Sequence, residues 1–110
     1  MRILVVNPNT TQSMTQTIEA AAKAVASAST EIVAVTSSMG PVSIEGYYDE
    51  VFAIPGLLLE IAKAEKGGAQ AAIIACFDDT GLDAARALAT IPVIGICEAA
   101  VATAAFNAQR

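Results

Sequence analysis

Ala71-Ala72-Ile73-Ile74-Ala75-Cys76-Phe77-Asp78-Asp79-Thr80-Gly81 decides the fold. Five apolar residues run without alternation, stop at a cysteine, and give way to acidic and turn-forming residues. A short continuous apolar run of this kind is the pattern of a strand covered on both faces, as in a parallel sheet. Leu82 to Ala89 follows as a short helix. The same strand-then-helix sequence recurs on either side. Upstream, Arg2 to Val6 is apolar from Ile3 onward and is cut off by Asn7-Pro8-Asn9. A helix is expected from Gln12 to Ser27, with Met14, Ile18, Ala21, Ala22 and Val25 on its inner face. Glu31 to Thr36 is a strand, and a helix runs from about Glu50 to Lys66, kinked or restarted at Pro55 and ended by Gly67-Gly68. Downstream, Pro92 to Ile96 is a strand and Glu98 to Ala108 a last helix. The expected fold is α/β: an open, parallel four-stranded sheet flanked by helices, in a single domain over residues 1–110.

Composition narrows the chemistry. Hydrophobic residues make up 55% of the 110 residues and aromatics only 5%, so the core is aliphatic and much of it alanine. Eleven acids against six bases give a net charge of −5, and the bases (Arg2, Lys23, Lys63, Lys66, Arg86, Arg110) form no stripe. Nucleic acid and anionic membranes are therefore not expected partners. The chain has no histidine, which excludes histidine metal sites, Ser-His-Asp triads and a Cys-His dyad within it. Its two cysteines, Cys76 and Cys97, have neither CxxC nor zinc spacing. The Ile3–Val6 run is too short for a secretory leader, so a cytoplasmic protein with reduced thiols is expected. No glycine-rich loop opens a helix after a strand, so dinucleotide binding is not expected.

In open parallel sheets, ligands sit beyond the carboxyl ends of the strands. That rule gathers Asn7–Thr11, Ser37–Gly46, Cys76–Gly81 and the Cys97-Glu98 pair on one rim. Cys76 is either a reactive thiol, with backbone N–H groups favouring its anion and Asp78 and Asp79 opposing it, or a core cysteine at a strand end. Asp79 or Thr80 reads as a helix cap, a substrate contact, or both. Asn7-Pro8-Asn9-Thr10 is a self-satisfied turn or a binder of planar amides and carboxylates. Glu45 reads as a cap or a base, and Tyr47 and Tyr48 as packing or an interface. Cys97 faces the same rim as Cys76, but its surroundings favour a core residue over a reactive one.

Four segments in order carry a resemblance: Ile3 to Thr10, Gly40-Pro41-Val42-Ser43-Ile44-Glu45-Gly46, Ala75 to Arg86, and Pro92 to Ala100. Together they resemble the aspartate/glutamate/hydantoin racemase superfamily, in its hydantoin and allantoin branch. The resemblance implies an isomerase without cofactor or metal, built of two similar lobes with the active site between them. A thiolate on one lobe removes the proton from ring carbon 5 of a 5-substituted hydantoin or allantoin, and a thiol on the other supplies one to the opposite face. Cys76 corresponds to the first of those thiols. Asn9 and Thr10 correspond to the substrate loop of the first strand, and Phe77, Asp78, Asp79 and Thr80 to the loop after the cysteine. Cys97 does not replace the second thiol. The chain is thus expected to be one lobe, truncated relative to the two-lobe enzyme, with exposed apolar surface and a tendency to form a homo-oligomer around a small-molecule substrate. Kept beside this are a ligand-binding or dimerising lobe that lacks the chemistry, and a one-cysteine decarboxylase relative.

Overall fold

The computed structural model describes residues 1–108, so Arg110 lies outside the described residues. Strands β1 (Arg2–Asn7), β2 (Glu31–Thr36), β3 (Ala71–Ile74) and β4 (Val93–Gly95) alternate with helices α1 (Gln12–Val25), α2 (Tyr47–Lys66), α3 (Leu82–Leu88) and α4 (Ile96–Asn107). All pairings are parallel and the strand order is β2-β1-β3-β4. The α/β fold read from the sequence is the fold observed.

The central strand explains the unbroken apolar runs. Leu4, Val5 and Val6 are all buried, so β1 is covered on both faces. One face is sealed by α2 and α3. There Leu4, Val6, Ala72, Ile74 and Val93 of the sheet pack with Leu57, Ile61, Leu82 and Ala85 of the helices. The core is aliphatic throughout, with no aromatic residue among the described residues of the buried cluster.

The opposite face differs from expectation. Helix α1 was to present Met14, Ile18, Ala21, Ala22 and Val25 inward, but Met14, Ala21 and Val25 are exposed and Val25 is 86% accessible. The buried position is Thr15. Its hydroxyl is held by the Asn7 amide at 3.1 Å and by the Thr36 hydroxyl at 2.7 Å. Of the five expected positions Ile18 and Ala22 are half-buried, on the same face as Thr15, and the polar anchors turn the helix away from Met14, Ala21 and Val25. Helix α4 buries no residue, and Phe106 on it is 90% accessible. With Ile94 of β4 also exposed, this end of the sheet shows the apolar surface expected from the sequence.

Helix boundaries moved in informative places. Helix α2 starts three residues early, at Tyr47, and runs continuously through Pro55. Helix α4 starts at Ile96 rather than Glu98. Thr11 holds the N-cap position of α1 without a side-chain cap; its hydroxyl donates instead to the Val42 carbonyl at 2.7 Å. The expected Asp79 or Thr80 cap of α3 is absent too, since that position is taken by Gly81 in the left-handed conformation.

Candidate active site

The carboxyl ends of the four strands form one rim, and two polar systems organise it. The first centres on Asn7, the last residue of β1 and 1% exposed. Its amide donates to Asn9 Oδ1 at 2.8 Å, to the Thr11 carbonyl at 3.2 Å and to Thr15 Oγ1 at 3.1 Å. Its own oxygen accepts the Asn9 N–H at 3.2 Å. Asn9 is itself buried: its oxygen also accepts the Thr11 N–H at 2.9 Å, and its amide reaches the Met14 sulfur at 3.4 Å. Thr10 donates both its N–H (3.0 Å) and its hydroxyl (3.3 Å) to the Pro41 carbonyl. The loop after β1 is thereby sewn to the Ser37–Gly46 segment. That segment lies tight on α2, where a Cβ on Gly56 would run into Ser37 and Met39.

The second system is the loop after β3. Cys76 is half-buried, with its sulfur 3.4 Å from Thr80 Oγ1. Thr80 is 1% exposed. Between them the chain turns sharply: the Asp79 N–H donates to the Cys76 carbonyl at 2.9 Å, and Asp79 has φ +51°. This left-handed residue directs its carboxylate to the start of α4. Asp79 Oδ1 and Oδ2 accept the N–H groups of Cys97 and Glu98, each at 2.9 Å. These are orphan donors of the first turn of α4, so Asp79 caps a helix other than the one it precedes. Phe77 and Asp78 are exposed beside the thiol. Asp78 faces Glu50, in the first turn of α2. A hydrogen bond between the two, partial burial and the Asp78 charge hold the Glu50 carboxyl above its ordinary value.

The sequence reading brought Cys76, Phe77, Asp78, Asp79 and Thr80 to one loop, and Asn9 and Thr10 to the neighbouring strand end. It missed Asn7 as the hub, Glu50 as the partner of Asp78, and Gly95. A Cβ on Gly95 would collide with the Asp79 carboxylate, which is why this strand ends in glycine. A strand-terminal asparagine is a legible signal; nothing in the local sequence links Asp79 to Gly95.

A cleft of about 370 Å³ lined by Glu50, Ile54, Asp79, Gly81, Leu82 and Asp83 runs between α2 and α3 beside the loop. Another, of about 550 Å³, follows edge strand β2 between Thr15, Glu19, Glu60 and Lys63, away from Cys76. Among the described residues no group of three or more Cys, Asp or Glu is placed to hold a metal ion, and no helix is long and apolar enough to cross a membrane.

Fold and rim together define a parallel α/β lobe carrying a thiol at the carboxyl end of an inner strand. The chain belongs to the Asp/Glu/hydantoin racemase family, whose profile matches residues 3–110. It is 53% identical over its whole length to a hydantoin racemase of Pseudomonas sp. (strain NS671) and 47% identical to one of Rhizobium meliloti, covering 44% and 46% of those proteins. Among solved structures, 96% of it superposes on an allantoin racemase from Klebsiella pneumoniae with a TM-score of 0.94 at 51% identity, covering 43% of that chain. An allantoin racemase from Pseudomonas fluorescens gives 0.88 at 42% identity. The chain thus spans less than half the length of the relatives it matches.

Proposed function

We propose that this chain supplies one of the two thiols in a cofactor-independent racemisation of a 5-substituted hydantoin or allantoin at ring carbon 5. The observation that carries the reading is the position of Cys76: at the carboxyl end of β3, half-buried, on a rim where α/β sheets bind ligands. Membership of a family with relatives called hydantoin and allantoin racemases gives the substrate class. In this reading the Cys76 thiolate takes the proton from carbon 5. The electron pair of that C–H bond moves onto the adjacent ring carbonyl as an enolate, and hydrogen-bond donors hold its charge. An acid on the other face returns a proton to the same carbon with opposite configuration. That acid comes from a second lobe of like architecture, in keeping with the share of its relatives that this chain spans.

The six residues assigned to substrate by resemblance divide by exposure. Phe77 and Asp78 are the accessible ones and carry the contact. The polar side-chain atoms of Asn9, Thr10, Asp79 and Thr80 are engaged within the protein, so these residues act by fixing the rim.

One thiol can remove a proton and return a deuteron on the same face. In D2O the protein is therefore expected to introduce deuterium at carbon 5 of a 5-substituted hydantoin faster than buffer does. Cys76→Ser should lose that exchange and Cys97→Ser keep it. Exchange at the buffer rate, or exchange unaffected by Cys76→Ser, contradicts the proposal.

A further inference from the structure

Among the described residues the buried Thr80 hydroxyl has one polar partner, the Cys76 sulfur at 3.4 Å. A hydroxyl withdrawn from water needs a partner, because leaving it unpaired costs its full desolvation. Among the described residues no buried side-chain oxygen or nitrogen lacks one, and for Thr80 that partner is the sulfur. A thiolate has no proton to give, so once Cys76 is ionised the hydroxyl can only be the donor.

The rest of the loop enforces this pairing. The left-handed backbone at Asp79 turns its carboxylate out to α4, where two N–H groups occupy it. Thr80 is left facing inward. The neighbouring Leu82 N–H returns to the Asp79 carbonyl at 3.1 Å, which closes the turn. The loop thus engages the Asp79 carboxylate with α4 and leaves the neutral Thr80 hydroxyl as the hydrogen-bond partner of the sulfur.

We infer that Thr80 is a positioning residue that donates its hydroxyl hydrogen to the Cys76 thiolate and so sustains the reactive form of the thiol, rather than contacting substrate. The inference rests on the reading of Cys76 as the working thiol, but its test requires no turnover.

The experiment follows iodoacetamide alkylation of the 110-residue chain at one neutral pH, with each cysteine read separately by peptide mass spectrometry. The hydrogen bond favours the anionic form that iodoacetamide attacks, so Thr80→Val is expected to slow Cys76 alkylation about threefold and leave Cys97 unchanged. Thr80→Ser, which restores the hydroxyl, is expected to react like the parent. Thr80→Ala serves in place of Thr80→Val if circular dichroism shows that the valine disturbs the fold. An unchanged Cys76 rate in the variant lacking the hydroxyl, equal changes at Cys76 and Cys97, or a slow Thr80→Ser overturns the inference. A failed hydantoin exchange with an intact Thr80 effect would instead remove the proposed function and leave this one standing.

Discussion

The Asp79 carboxylate rests over the bare Cα of Gly95, in space that any side chain at that position would fill. From there it reaches the N–H groups of Cys97 and Glu98 and joins the thiol loop to the start of α4. Arg86 adds a second tie across the same corner, from its Nε to the Val93 carbonyl at 3.0 Å and from its guanidinium to Glu98.

This relationship predicts strong coupling between the two positions. Asp79→Ala removes a charged cap and is expected to cost about 2 kcal/mol. Gly95→Ala alone should cost about as much, because the carboxylate must move. In the Asp79→Ala background the same Gly95→Ala change should cost almost nothing. Urea denaturation of the four proteins measures the cycle, and additive losses would contradict the packing described.

Helix α4 depends on that cap more than on packing, since none of its residues is buried. Local openings should therefore expose it well before the core strands unfold. Hydrogen exchange is expected to be fastest in α4 among the helices and slowest in β1 and β3. Asp79→Ala should accelerate α4 further and leave β1 unchanged.

Asn7 holds three acceptors and one donor from a nearly inaccessible position. Asn7→Ala strands several of these groups out of water and is expected to destabilise the protein by about 3 kcal/mol. Asn7→Asp keeps the shape but exchanges the donating amide for an acceptor, and should not rescue it. Thermal denaturation of both variants tests the hub.

Acid sensitivity has two opposed contributions. The Glu65 carboxylate accepts from the Thr90 hydroxyl at 2.7 Å and the Thr90 N–H at 2.9 Å, joined by Ile91 N–H at 3.4 Å. These bonds, the Thr90 hydroxyl first, hold its pKa below the ordinary 4.5. A depressed folded pKa contributes stability that is present above 4.5 and lost as pH falls through the folded value. Glu50 is raised by Asp78, so its contribution is present at lower pH and lost as pH rises through its folded value. On the two sides of 4.5, Glu65→Gln is expected to flatten the fall in stability below that pH, and Glu50→Gln to remove a gain in stability as pH falls toward it from above. Urea midpoints across that range check both, and both effects are small because the groups are solvent-screened.

The sheet was legible in the sequence because buried parallel strands write themselves as unbroken apolar runs, as Ile3–Val6 and Ala71–Ala75 do. The thiol was legible for the same reason: Cys76 stands where such a run stops. The inward face of α1 was not, since Asn7 and Thr36 reach Thr15 from separate strands and override the spacing of Met14, Ala21 and Val25. Nor was the role of Asp79. A capping carboxylate beside a helix start reads as serving that helix, and only the left-handed turn at Asp79 sends it to α4. Local sequence records periodicity and turn chemistry; it does not record which distant helix end a carboxylate meets in space.

The most direct test of Cys76 as a single-faced base is the stereochemical course of exchange. Each enantiomer of a 5-substituted hydantoin is incubated with the protein in D2O, and deuterium content and configuration are read together by chiral chromatography with mass detection. A lone Cys76 is expected to label one enantiomer in preference to the other with retained configuration, and Cys76→Ser to abolish that labelling. Equal labelling of both enantiomers, or labelling that survives Cys76→Ser, would contradict the account.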